Sequence, residues 1–206
     1  MKTPLQYQIS EYDCGPASLQ NALRFLFERE EVPPEIIRNI MLYCLDGFDR
    51  LGRPGCAGTS HTAMLFLSHW LTGYGEVSKL PLVTQYVTGR RVNMRTDGLV
   101  LDALHRHGVA VVRLWLEEVE HYVLLTGERG GRVLMFDPYY ATEVDTPEVE
   151  VTFAKPFAYN RIVPATLFER ESQETYALGP GEAREAMLLF NTSTRLTAEK
   201  TIEYFI

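Results

Sequence analysis

Apolar residues recur at helical spacing in the first third of the chain and at strand spacing later. From Asp13, the positions Leu19, Ala22, Leu23 and Leu26 follow the i, i+3, i+4, i+7 rule. This predicts a helix with Asp13 as its N-cap. Pro16 suits the first turn, which needs no amide donors. "EEVPPEIIRNIMLYCLD" predicts a second helix started by Pro33-Pro34, with Ile36, Ile37, Ile40, Met41 and Cys44 on one face. "GFDRLGRPGCAGTS" is rich in glycine and charge and predicts a loop. It ends in Thr59 and Ser60, good caps for a third helix, "HTAMLFLSHWLTGYG". That helix is apolar nearly all round and is expected to pack on several sides.

Past Gly75 the pattern changes. Short β-prone pieces in "EVSKLPLVTQYVTGRRVNM" precede a helix, "TDGLVLDALHRHG", with Val100, Ala103 and Leu104 on one face. The strands "VAVVRLWLE", "HYVLLTGE" and "RVLMFDP" follow. The last two are joined by "RGGR", whose Gly-Gly pair marks a tight hairpin. Further strand-like pieces lie at "EVEVTF" and "EAMLLF". The expectation is an α+β fold in which an N-terminal helical half packs on a C-terminal antiparallel sheet. With no repeat and no linker, the 206 residues read as a single domain, helical over about 1–75 and mainly β over about 76–206.

Composition narrows the partners. At 46% hydrophobic and 23% charged residues the chain is of globular type. A net charge of −7, without any Lys/Arg-rich segment, argues against a nucleic-acid partner. No apolar run approaches the ~20 residues that span a bilayer, and the N-terminus lacks a secretory apolar core. Cys14, Cys44 and Cys56 form neither a CxxC pair nor a zinc-ligand spacing. These features lead us to expect a cytoplasmic protein without membrane segment, metal or cofactor.

One cysteine stands apart. Cys14 precedes Gly15-Pro16 at the predicted start of the first helix, where the helix's partial positive charge favours a thiolate. Gly15 leaves the backbone open for a substrate carbonyl to approach. Placement alone fits equally well a small residue filling space. His121 opens a predicted strand, and Asp137 closes the next one before Pro138. A hairpin brings the start of its first strand beside the end of its second, so His121 and Asp137 should meet at one sheet edge. Each could be ordinary strand-end or turn chemistry, yet a base and its orienting carboxylate are what a cysteine nucleophile requires.

Together "QISEYDCGPASLQ", "HYVLLTG" and "FDPYY" resemble the papain-like cysteine peptidases of family thirty-nine, which remove double-glycine leaders from bacteriocins. In that family a glutamine precedes the Asp-Cys-Gly nucleophile by the interval that separates Gln8 from Cys14. The resemblance implies Cys14 as nucleophile, His121 as general base then acid, and Asp137 orienting the imidazole. Gln8 and the Cys14 backbone N–H would then donate to the oxyanion. It further implies a papain-like fold, a peptide or peptide-like substrate and a thioester acyl-enzyme. Two departures stand out: the chain carries no GxxxxGK[ST] and no membrane segments, and it has the glycine-rich stretch "LGRPGCAGTS".

The leading expectation is therefore a cysteine peptidase or amide hydrolase. An acyltransferase or transpeptidase could use the same thioester, and a peptide-binding module could keep only the cleft. Gly52 to Ser60 is expected to form a mobile flap, with Gly58, Thr59 and Ser60 nearest the substrate. Cys44 reads as core and Cys56 as an incidental loop thiol. His61, His69, His105 and His107 read as helix residues without ligand spacing. The Glu117-Glu118-Glu120 cluster beside His121 is expected either to raise the imidazole pKa or to be a solvated face.

Overall fold

The structure of the protein, a computed structural model, describes residues 1–78, 80–117 and 119–193. Its frame is an antiparallel sheet ordered β1-β7-β2-β3-β4-β6-β5. The strands are β1 (Leu82–Thr88), β2 (Val109–Leu116), β3 (Val119–Arg129), β4 (Arg132–Phe136), β5 (Glu150–Val151), β6 (Arg161–Pro164) and β7 (Glu185–Asn191). Helices α1 (Cys14–Leu26), α2 (Pro34–Cys44) and α3 (His61–Ser78) precede the sheet in the chain, whereas α4 (Leu99–His105) and α5 (Ala165–Phe168) are interleaved with its strands. The class is α+β, as the periodicities indicate.

Both faces of the sheet are covered, which makes its central strands apolar at nearly every position. Val109 and Val111 of β2 join a core with Leu19 and Leu23 of α1 and Ile36 and Ile40 of α2. The alternate residues Ala110, Val112 and Leu114 join a second core with Val100, Ala103 and Leu104 of α4. The periodicity predicts the first layer as a helical half; the small α4–α5 layer on the opposite face is the part it underplays.

Local signals account for most element ends. Pro34 starts α2 at its first position, where a missing N–H costs nothing. Ser60 caps α3 by accepting from the Ala63 N–H at 3.1 Å. Gly130 and Gly131 have φ of 58° and 78°, which sets the two-residue turn pairing Arg129 with Arg132. Helix α3 departs from expectation: only its Ala63, Met64, Leu67, Ser68 and Leu71 side is buried, while Leu65 and Phe66 are 40% and 46% exposed. A helix laid on one sheet face can bury one side only. Met41 of α2 is exposed as well.

Asp13 departs in a more informative way. Its carbonyl accepts the first helical bond, from the Ala17 N–H at 2.9 Å. Its carboxylate does not cap α1, but instead accepts from the Ser10 N–H at 3.2 Å. An N-cap side chain bonds the second or third helical N–H, and the third residue here is Pro16, which has none.

Helix α1 is fastened to β3 across the sheet. The buried Ser18 hydroxyl donates to the Tyr122 carbonyl at 3.0 Å, one turn beyond Cys14 and one residue beyond His121. Ser18→Ala is expected to lower unfolding free energy by about 1–3 kcal/mol, the cost of losing one buried partner. Urea titration measures it, and an unchanged midpoint would show that the bond contributes nothing.

Candidate active site

The nucleophile candidate begins α1. Cys14 is 7% exposed, and the turn before it carries no side-chain cap. The N–H groups of Cys14 and Gly15 therefore belong to the first turn that has no helical acceptors. Gly15 is required by packing: a Cβ there would lie 2.7 Å from the Cβ of Thr59.

The hairpin delivers the other two groups. Leu124 pairs with Phe136, so β3 carries His121 back toward the residue that follows β4. His121 Nε2 and Asp137 Oδ1 lie 2.8 Å apart, and both residues are almost wholly buried. His121 does not open its strand, however: β3 begins at Val119. Burial alone would lower the imidazole pKa, but the charge and hydrogen bond of Asp137, with the Cys14 thiol beside the ring, push it up to about 10. With Nε2 held by Asp137, Nδ1 is the ring nitrogen left for the thiol. Burial pushes the Asp137 carboxyl up, and His121, Tyr176 and the Tyr139 N–H more than offset it, so its pKa falls below the usual range.

Asp137 is held from several sides. The Asn160 side chain clamps its backbone twice, donating to the Asp137 carbonyl and accepting from its N–H, each at 2.8 Å. The Tyr139 N–H donates to Oδ1 at 2.8 Å, and the Tyr176 hydroxyl donates to Oδ2 at 2.7 Å. Tyr176 has φ of 66°, a left-handed conformation that costs a bulky residue about 1–3 kcal/mol. Neither Asn160, Arg161 nor Tyr176 was legible in the sequence. They lie 23 to 39 residues beyond Asp137 in segments without periodicity.

Gln8 reaches the site from the N-terminal segment. Its backbone N–H donates to the Pro138 carbonyl at 2.9 Å, directly after Asp137. Its side-chain Nε2 donates to the Ser10 carbonyl at 2.9 Å, while Oε1 is buried without a partner. Gln8 and Asp13 both border a cleft of about 70 Å³ between this segment and α1.

The glycine-rich loop does meet α1, through side-chain packing at Gly15. Thr59 packs on Gly15, and a Cβ at Gly58 would lie 3.9 Å from the Tyr12 carbonyl. The Ser60 N–H donates to Asp46 at 3.0 Å and its hydroxyl also bonds Asp46, so both its donors are engaged within the loop. Asp49 binds the N–H groups of Leu51 and Arg53 at 2.9 and 2.8 Å and pairs with the Arg53 guanidinium at 2.6 Å.

The remaining candidates have other settings, although buried Cys44 lies near Cys14 and Thr59. Cys44 is fully buried, and burial pushes its thiol pKa far up. Cys56 is half-buried in the loop. Glu120 pairs with Arg113 at 2.8 Å, and the shift of His121 comes from Asp137 and Cys14, not from the acidic run; Glu118 lies outside the described residues. His107 lies past the end of α4, and His105 pairs with Glu128 at 2.9 Å. Beneath the site, Tyr122 and Tyr86 donate their hydroxyls to buried Glu185, which also pairs with Arg113 at 3.1 Å. No helix among the described residues is long and apolar enough to cross a membrane.

Comparison with solved structures finds similar chains at low identity. The chain is similar to the peptidase domain of Streptococcus mutans ComA, at 14% identity and a TM-score of 0.42, covering 91% of this chain and 98% of that one. It is similar to a double glycine motif protease from an AMS/PCAT transporter, solved in complex with its leader peptide. There the identity is 15% and the TM-score 0.46, over 91% of this chain and 89% of that one. A peptidase domain of Streptococcus ComA, a bi-functional ABC transporter involved in a quorum sensing pathway, gives 15% and 0.46, over 91% and 96%. No family model and no curated protein matches the sequence.

The Gly15–Thr59 contact makes a prediction. Gly15→Ala should destabilise the protein by about 1–3 kcal/mol through overpacking. The double variant Gly15→Ala/Thr59→Gly should recover most of that loss in denaturant titrations. Additive losses would mean that the loop does not rest on α1.

Proposed function

We propose that this chain is a cysteine peptidase that cleaves peptide or peptide-like substrates through a thioester acyl-enzyme. The observation that carries the proposal is the buried His121–Asp137 pair at 2.8 Å, with the thiol of Cys14 beside the imidazole.

The chemistry follows from the geometry. Asp137 holds Nε2–H, so Nδ1 of His121 accepts the Cys14 proton and the thiolate attacks the scissile carbonyl. The imidazolium then protonates the leaving amine, and water released of a proton by the same nitrogen hydrolyses the thioester. The oxyanion lies against the Cys14 N–H, whose place in the first turn leaves it without a helical acceptor. Gln8 supplies a second donor: its amide nitrogen carries two hydrogens, of which the Ser10 carbonyl engages one. The Ser10 carbonyl thus orients the side chain while the other N–H stays available. Gly15, Gly58, Thr59 and Ser60 shape the ground beside the nucleophile, with Thr59 and Ser60 acting as supports for the first helical turn.

The direct test is a screen of peptides for cleavage by the wild-type protein and by Cys14→Ala and His121→Ala. Cleavage confined to the wild type supports the reading; cleavage by Cys14→Ala would sink it. Reactivity gives a second measure. His121, whose pKa is pushed up to about 10 by Asp137 and the neighbouring thiol, is placed to take and hold the Cys14 proton. Iodoacetamide near pH 6 should mark Cys14 well before Cys44 or Cys56, and equal labelling would contradict the ion pair. Gln8→Ala should lower kcat by roughly 10²–10³-fold with little change in KM, the usual cost of one oxyanion donor. A variant with normal kcat and raised KM would assign Gln8 to binding instead.

A further inference from the structure

Asp137 offers two carboxylate oxygens, and only Oδ1 faces His121. Oδ2 receives the hydroxyl of Tyr176 at 2.7 Å, in a setting where Tyr176 and Asp137 are each 1% exposed. That hydroxyl has a second neighbour. Arg161, fully buried, places Nε 3.3 Å from it and spends its other nitrogens on the carbonyls of Asn160 at 2.9 Å and Ala141 at 3.0 Å. A guanidinium only donates, so the tyrosine oxygen must accept from Arg161 and turn its own hydrogen toward Asp137. The direction of the chain from Arg161 to Tyr176 to Asp137 is thereby fixed.

The backbone of Tyr176 is held in its left-handed conformation by neighbours. Its N–H donates to the Trp115 carbonyl at 2.7 Å, and the Trp115 N–H returns a bond to the Ala177 carbonyl at 2.9 Å. The end of β2 therefore grips the segment at the residue whose side chain reaches Asp137. A strained backbone that persists because its surroundings over-determine it is a pointer to a role.

We propose that Tyr176, oriented by Arg161, is a positioning residue that locks the Asp137 carboxylate so that Oδ1 is presented to His121. The inference rests on the peptidase reading given above and adds to it a residue that never touches substrate. The phenol keeps its proton, since burial and the Asp137 charge push its pKa up. It therefore acts as a donor throughout the working range. By occupying Oδ2, it stops the carboxylate from rotating and favours its ionised form. Besides Tyr176, the charged and titratable groups around the pair are His121, Cys14 and Arg161.

Tyr176→Phe removes one oxygen and keeps the ring. The ¹³Cγ resonance of Asp137 should titrate at higher pH in this variant than in the wild type, because the carboxylate has lost a donor. In peptide cleavage, kcat should fall roughly tenfold with KM unchanged, the scale of one hydrogen bond to a charged group. In an Asp137→Asn background the same change should cost no further kcat, because Tyr176 acts through Asp137. Near-UV circular dichroism checks that each variant is folded, and if Tyr176→Phe unfolds, fluorotyrosine incorporated at position 176, whose more acidic hydroxyl is a stronger donor, should instead move the Asp137 titration to lower pH. An unmoved Asp137 titration overturns the inference whatever the activity. So does a kcat loss that multiplies with that of Asp137→Asn. A wild type that cleaves nothing through Cys14 while Asp137 still shifts overturns the peptidase reading and leaves the hydrogen-bond chain standing.

Discussion

A carboxylate taken out of water must be surrounded by donors, and Asp137 is the residue around which this protein meets that demand. A buried charge without partners is strongly destabilising, whereas one with several well-placed hydrogen bonds is tolerated. Here the donors come from different stretches of chain: His121 on β3, Tyr139 just past β4, and Tyr176 in the segment held by β2. Asn160, at the entry to β6, holds the backbone of the same residue. The ends of several strands are thus drawn to one point. The imidazole is fixed as a by-product of satisfying the acid.

Helix α1 meets this point from the other face, and its approach is set by small residues. Gly15 allows Thr59 against the first turn, Ser18 bonds the Tyr122 carbonyl, and Ala22 is fully buried beyond them. A larger side chain at any of these positions would push the start of the helix away from β3. Pro16 adds a different constraint. By removing the third N–H it denies Asp13 its usual capping partner, and the aspartate is spent on the Ser10 turn instead. The result is a helix start with its first amides uncovered, beside the thiol.

Much of this was legible because it is local. The Gly-Gly turn fixes where the β3–β4 pairing starts, but a one-residue shift between Leu125 and Gly127 changes the register, and the shifted pairing of Leu124 with Phe136 is what turns His121 and Asp137 to the same face. The starts of α2 and α3 follow from Pro34 and Ser60 in the same way. What stayed hidden is contact between distant segments. Nothing about Arg161 in "NRIVP" announces full burial, and nothing in "ETYALG" marks Tyr176 as left-handed. The exposed side of α3 departs from its composition for a related reason: hydrophobicity all round a helix says how much it could bury, not what lies beside it. The Asp46 anchor of Ser60 joins residues 14 apart and has no pattern of its own.

The spacing of the site's members along the chain also orders its assembly in time. His121 and Asp137 are 16 residues apart on one hairpin, a unit that closes in about 1–10 μs. The bond that docks α1 on that hairpin spans 104 residues, and contacts of such separation form late because the loop must first be closed. The hairpin carrying His121 and Asp137 can therefore close before α1 docks on it. A molecule whose hairpin has closed but whose α1 has not docked thus has His121 and Asp137 together and Cys14 apart from them.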